Sequence, residues 1–377
     1  MELRKLCYTA LCSLLLGATT TACNDDETPD FNDNGSKVEL PARRAFIMYE
    51  GSLGGNNAGI SFYAPAKDAK FISDIYYTQN GTRMGDLANM LIEHDNYLYV
   101  VVGGSKYVAC LNSAGVELAR HAFGSGEGEP RAIDVEDGYV YVTQYGGKVS
   151  KLKAQTLEVV ATFEGGDNLE GIVEENGKLY VANAYKVEGS GNFVYNTEIL
   201  VINAATMKQE KSLTVVENPE ELYEIDDMIY VLSKGNYADV APALQAIDPR
   251  SDKVTYVSDA SKVTKGNNGM LYIVCSAYDE NWQLTNHFFT LNAADKKEQS
   301  FFKGDSFLQN APQSFSTDAI YLLEVDEETG DIFNQEVADK FRRYVLTPGG
   351  IDDGMTMYKA FRGREPQIDA LLRARGL

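Results

Sequence analysis

Histidine, cysteine, tryptophan and positive charge are all scarce in this chain. Its 377 residues include three histidines, five cysteines and a single tryptophan. His94, His121 and His287 lie far apart, which speaks against a histidine-rich catalytic metal centre; carboxylates can hold a hard cation such as calcium unaided, so that option stays open. Lysine and arginine total 34 against 55 acidic residues, a net charge of -21. Nucleic-acid binding demands a basic footprint and is excluded on that ground, as is electrostatic docking on anionic lipid. No G-x-S-x-G elbow, P-loop or H-E-x-x-H stands anywhere. Glu50, Glu170 and Glu220 recur near strand ends, which leaves a hydrolytic carboxylate pair open. DEETGD at 326–331 lacks EF-hand spacing and reads as a turn. Long helical periodicity is nearly missing before residue 360. What is abundant is apolar and aromatic: 44% hydrophobic residues, 23 tyrosines, 16 phenylalanines and 33 glycines, the composition of a folded globular protein.

The first residues read as a targeting segment. Arg4 and Lys5 precede an apolar run from Cys7 to Ala18 that is too short to span a bilayer. Thr20, Thr21 and Ala22 lead into Cys23, and the whole resembles a bacterial lipoprotein signal over residues 1–22, cleaved before a cysteine that is then lipidated. An ordinary secretory signal is the plainer alternative. Residues 23–43 are then the lipidated cysteine and an acidic flexible tether. The cluster Asn24, Asp25, Asp26, Glu27 resembles the surface-export tag of Bacteroidota lipoproteins. The expected location is the outer membrane, held by lipid only and facing the exterior. Cys110 and Cys275, both in apolar runs, are expected to be buried thiols.

From residue 44 onward the chain repeats. A phrase of turn residue, apolar, Tyr, apolar recurs at Tyr99, Tyr141, Tyr180, Tyr230 and Tyr272, at intervals of roughly forty residues. Each phrase is a strand entered through a tight turn, such as Glu136-Asp137-Gly138 or Glu175-Asn176-Gly177. One short strand precedes each phrase and two follow it. Four short antiparallel strands per unit is the blade of a β-propeller. The expectation over 44–377 is therefore an all-β, seven-bladed β-propeller of four-stranded antiparallel blades. Its first blade would begin at FIMYE (46–50), with KFISDIYY as its last strand. The C-terminal strand would join that first blade and close the ring.

Such a blade (strands A to D) sends its B–C loop and D–A connection to one face and its tight A–B and C–D turns to the other. The B–C loops here are long and aromatic. They carry Lys106 and Tyr107, then Tyr145, then Tyr185, Phe193 and Tyr195, then Asn236 and Tyr237, then Tyr278 and Trp282. Aromatics outside the strands give large, rigid contact area with a polar rim, suited to recognition; packing against neighbouring loops is the alternative for each. The D–A connections add Asn80, Asp86, Asn89, Arg131, Asn168 and Asn218.

The stretches FIMYEGSLGGNNAGISFY and NGTRMGDLANMLIEHDNYLYVVVGGS resemble YncE-like, quinoprotein-like propeller lipoproteins of gut Bacteroidota, and the resemblance covers roughly residues 44–335. The C-terminal forty residues depart from that pattern. The resemblance implies a non-enzymatic surface protein that requires no cofactor, captures cobalamin (vitamin B12) and delivers it to a TonB-dependent outer-membrane transporter. Tyr and Trp edges with amides would suit the amide-fringed corrinoid ring, and Arg131, Lys106, Lys186 or Lys234 would neutralise its phosphate. A glycan- or protein-binding propeller of another uptake system is the second reading. A lactonase or quinoprotein dehydrogenase is the third.

Overall fold

The computed structural model describes residues 31–42, 44–64, 70–266, 270–278, 284–292 and 298–302. Within them the chain folds into six antiparallel sheets taken in sequence order. The first holds β1 (Ala45–Tyr49), β2 (Gly59–Ala64) and β3 (Lys70–Ile72). The second holds β4 (Ala88–His94), β5 (Tyr97–Val102), β6 (Tyr107–Asn112) and β7 (Glu117–Ala122). The third runs through β8 (Pro130–Glu136), β9 (Tyr139–Gln144), β10 (Lys148–Lys153) and β11 (Val159–Glu164). The fourth has β12 (Asn168–Glu175), β13 (Lys178–Glu188), β14 (Asn192–Asn203) and β15 (Lys208–Thr214). The fifth has β16 (Pro219–Ile225), β17 (Met228–Ser233), β18 (Ala243–Asp248) and β19 (Lys253–Asp259). The sixth has β20 (Lys262–Lys265), β21 (Met270–Tyr278), β22 (Leu284–Asn292) and β23 (Glu298–Phe302).

These sheets are the blades of a β-propeller. The first strands of blades two to five touch one another in succession, β4 with β8, β8 with β12 and β12 with β16, so they stand innermost. The last strands β7, β11, β15 and β19 carry at most one buried residue each. Each pair of neighbouring blades encloses its own apolar cluster. The recurrent tyrosine explains itself here. Tyr99, Tyr141, Tyr180 and Tyr230 are buried on their second strands, and burial raises the pKa of each phenol. They fill the seams between blades and leave the faces free. Lys151 links blades three and four in the same zone: its Nζ lies 3.8 Å from the Tyr139 ring and donates to the Ala204 carbonyl at 2.9 Å.

The A–B turns follow their sequence. Asp95-Asn96, Asp137-Gly138, Asn176-Gly177 and Asp226-Asp227 all have positive φ at both central residues. That geometry matches the twist of the flanking strands and favours Asn, Asp and Gly.

Three expectations are corrected. The described residues build six blades, not seven, and no sheet is closed by a returning strand: blade one has three strands, with β2 as the sole described partner of β1. The segment expected as a seventh blade (VDEETGDIF, RRYVLTP, MTMYKAF) lies, with the C-terminal strand, outside the described residues. KFISDIYY is also not one strand. It stops at Ile72, and Ile75–Asn80 forms a short helix, α1, capped by the Asp74 carboxylate and ended by Gly81 in the left-handed region. Tyr76 and Ile75 of α1 are buried against blades one and two, taking the place of further strand.

Residues 31–42 and Arg44 form a strap against blades one and two. Val38 and Leu40 pack on their shared core. The Lys37 N–H donates to Gln79 Oε1 at 2.8 Å, and Asn112 Nδ2 donates to the Asn34 carbonyl at 2.9 Å. The Arg44 side chain is 6% exposed, ion-paired with Asp33 at 2.8 Å and hydrogen-bonded to the Ser113 carbonyl at 2.8 Å. Cys110 and Cys275 are free thiols in separate blades, the first buried and the second half-buried.

Candidate functional site at the channel mouth

A local irregularity of the innermost strands builds the site. The pairing register of the first strand slips between Ala88 and Met90 in blade two, between Pro130 and Ile133 in blade three, between Leu169 and Ile172 in blade four, and between Pro219 and Glu221 in blade five. Four successive blades thus carry a β-bulge at the same height, on the side of the B–C loops. Bulges re-aim side chains, and the residues at this level are Asn89, Arg131, Glu170 and Glu220. In blade three Thr143 fills the gap: its hydroxyl accepts the Ala132 N–H at 3.0 Å and donates to the Glu170 carbonyl of blade four at 2.7 Å.

Glu170 is the hub. It is 6% exposed; its Oε2 accepts Arg131 Nε at 3.0 Å and its Oε1 accepts the Tyr145 hydroxyl at 2.7 Å. The Arg131 guanidinium also sits 5.1 Å from the Tyr145 ring centre. Burial alone would lower the Arg131 pKa, but the Glu170 carboxylate beside it raises it. Tyr145 is raised by burial and by the same carboxylate. Gly171 lets this level form. A Cβ there would lie 2.7 Å from the Glu220 carbonyl oxygen and 2.9 Å from the Leu222 nitrogen of the next blade, so only glycine allows β12 and β16 so close.

A second charged knot lies one blade further on. Lys234 Nζ contacts Glu221 Oε1 at 2.7 Å, Glu220 Oε2 at 3.5 Å and the Ser261 carbonyl at 3.2 Å. The Tyr223 hydroxyl donates to Glu221 and is 2.9 Å from the Val263 carbonyl. Burial, then the neighbouring Glu170 and Glu221, raises the Glu220 pKa against the pull of Lys234. For Lys234 burial acts downward, and Glu221 and Glu220 overcome it to raise the value.

An aromatic arc stands over both knots. The Asn183–Asn196 segment is not a loop: β13 and β14 continue past the blade as a projecting hairpin, pairing Tyr185 with Tyr195 and Val187 with Phe193. Tyr185 meets Tyr145 of blade three at 6.0 Å and Phe193 at 5.3 Å between ring centres. Tyr195 meets Tyr237 of blade five at 5.8 Å. Phe193 is 57% and Tyr237 73% exposed. The structure therefore joins Arg131, Tyr145, Tyr185, Phe193, Tyr195 and Tyr237 of the sequence-predicted residues across three blades.

Others serve the scaffold. Tyr107 is buried, donates to the Met84 carbonyl at 2.5 Å and lies under the Arg120 guanidinium at 3.7 Å. Asn236 Oδ1 accepts the N–H groups of Ala238, Asp239 and Val240 and so shapes its own loop. Lys106 sits in the tight β5–β6 turn at φ 55°. Trp282 and the Tyr278 side chain lie outside the described residues. Glu170, Glu220 and Lys234 had been noticed only separately in sequence; Glu221 and Tyr223 were missed. The available signal was the charged residue two places before each inner-strand apolar residue, Arg131 before Ile133 and Glu170 before Ile172. Among the described residues no group of three or more His, Cys, Asp and Glu is arranged to hold a metal.

No protein-family model matches the chain. Oligopeptidase A of Salmonella typhimurium is 49% identical over 51 residues, and that of Haemophilus influenzae 51% over 51. Each match covers 14% of this chain, which spans only 7% of the relative's length. The WD40 domain of Neurospora crassa Pan2 is similar in structure, with a TM-score of 0.50 and 11% identity over 69% of this chain and 75% of that one. Kuenenia stuttgartiensis hydrazine synthase gives a TM-score of 0.44 at 15% identity, over 55% of this chain and 62% of that one. The likeness to the Pan2 WD40 domain supports the β-propeller fold; a fold by itself assigns no chemistry.

Proposed function

We propose that this protein is a non-enzymatic ligand-capture propeller that binds cobalamin and delivers it to a TonB-dependent outer-membrane transporter. A lipid on Cys23 would hold it at the outer membrane, facing the exterior. The observation that carries the reading is the aromatic arc of Tyr145, Tyr185, Phe193, Tyr195 and Tyr237, borne on three blades above the half-buried Arg131–Glu170 and Lys234–Glu221 pairs. Such a surface offers broad apolar edges for a large flat ligand and fixed polar groups beneath for its fringe.

Calorimetric titration of the purified full chain with cyanocobalamin tests this. One-to-one binding is expected, weakened at least about tenfold by Tyr185→Ala or Tyr237→Ala. Absence of binding, confirmed by equilibrium dialysis, overturns the corrinoid assignment. A second reading, capture of a glycan, draws on the exposure of Phe193 and Tyr237, since sugars stack on free aromatic faces. Binding of an oligosaccharide instead of cyanocobalamin would select it.

A further inference from the structure

The cations at the channel mouth are not equally free. Arg131 is held by Glu170, Lys234 by Glu221 and Glu220, and Lys186 by Glu188 at 2.6 Å. Lys262 differs. It opens β20, the first strand of blade six, is half-buried, and its ammonium makes no ion pair or hydrogen bond with the described residues. By strand register it is the blade-six counterpart of Glu221, since Lys262 pairs with Val274 as Glu221 pairs with Leu232.

Its two neighbours are pinned by blade five. Lys234 donates to the carbonyl of Ser261, and the Tyr223 hydroxyl lies 2.9 Å from that of Val263. Lys262 is thereby held at the Lys234–Glu221 knot, below Tyr237, whose surroundings also include Glu220 and Lys234. Burial and the nearby Lys234 lower the Lys262 pKa, with Glu221 acting the other way. A half-buried ammonium beside a second ammonium, with no carboxylate paired to it among the described residues, is a cation waiting for an anion.

The geometry points to Lys262, seconded by Lys234, as the subsite for a phosphate or carboxylate group of the ligand bound under the aromatic arc. It rests on the ligand-capture reading and sharpens it: the anionic group docks at the blade five–six seam, and Arg131 serves as a support for Glu170 and Tyr145. The two Lys234 carboxylates keep the knot near neutral until the anion arrives, which favours ligands with a single anionic group on a largely neutral, flat body.

The test uses the full chain with lysines reductively methylated with carbon-13, titrated with inorganic phosphate and followed by NMR. The Lys262 signal, identified by its loss in Lys262→Met, is expected to shift saturably, while that of Lys265, whose carboxylate contact is Glu224, stays put. Where cyanocobalamin binds the unmodified protein, Lys262→Met is expected to weaken it about tenfold and Lys262→Arg to restore most of the loss. A Lys262 signal unmoved by phosphate overturns the proposal, as does unchanged cyanocobalamin affinity in Lys262→Met. If phosphate moves Lys262 but cyanocobalamin does not bind, the subsite stands and the corrinoid assignment alone falls.

Discussion

Blades two and four have the same four-stranded ladder and the same inner-strand bulge, yet only blade four contributes to the arc. In blade two the bulged position is Asn89, whose side chain accepts the Gly103 N–H of its own B–C turn at 3.1 Å. The aromatic that follows, Tyr107, is buried beneath Arg120. In blade four the same position is Glu170, which reaches back to two side chains of blade three. The aromatics that follow ride on strands long enough to leave the blade. A polar group spent within its blade stabilises a turn. One spent between blades builds a site.

That contrast can be broken by substitution. Glu170→Ala strands the Arg131 guanidinium and the Tyr145 hydroxyl together, and should cost about 3 kcal/mol in urea unfolding. Its blade-two counterpart Asn89→Ala should cost about 1 kcal/mol. Gly171→Ala forces a Cβ against the backbone of β16; a loss of about 2 kcal/mol is expected, together with weaker ligand binding as Glu170 and Glu220 separate. Tyr107→Phe should cost about 1 kcal/mol through its bond to Met84 and leave ligand affinity unchanged, the result that would confirm blade two as scaffold.

The smallest effect concerns pH. Glu220 has a folded-state pKa raised above its ordinary 4.5, so its ionisation opposes folding. Stability from this group is present below that value and is lost as pH rises through the raised one. Glu220→Gln should flatten this decline when urea midpoints are compared between about pH 4 and pH 7.

The repeat was legible because it is local. Tyr99, Tyr141 and Tyr180 sit in phrases whose turn residues and strand alternation act over a few positions, and blades two to six begin where those phrases place them. The blade count was not legible, because a short apolar stretch near the C-terminus does not specify which distant strand it would pair with. Nor was α1, whose Asp74 cap lies inside FISDIYY, a stretch of strand-like composition. At the site, the aromatics of the long connections were visible one by one. Their meeting was not, since Tyr195 against Tyr237 and Arg131 against Glu170 depend on which blades are neighbours. Tyr107 and Asn236 show the converse: the same residue types in the same kind of connection turned inward once a buried carbonyl or a loop backbone needed a partner.

The strap has a mechanical consequence. Arg44 and Asn112 fasten it to the β6–β7 turn of blade two, at the opposite end of the strands from the aromatic arc. Tension applied at residue 31 is therefore borne first by blade two, across several hydrogen bonds loaded in parallel. β1, with its single described partner, lies downstream of that fastening and is shielded from being peeled away. Any leash attached at this end of the chain thus pulls on the strong part of the ring and leaves the arc facing away from the pull.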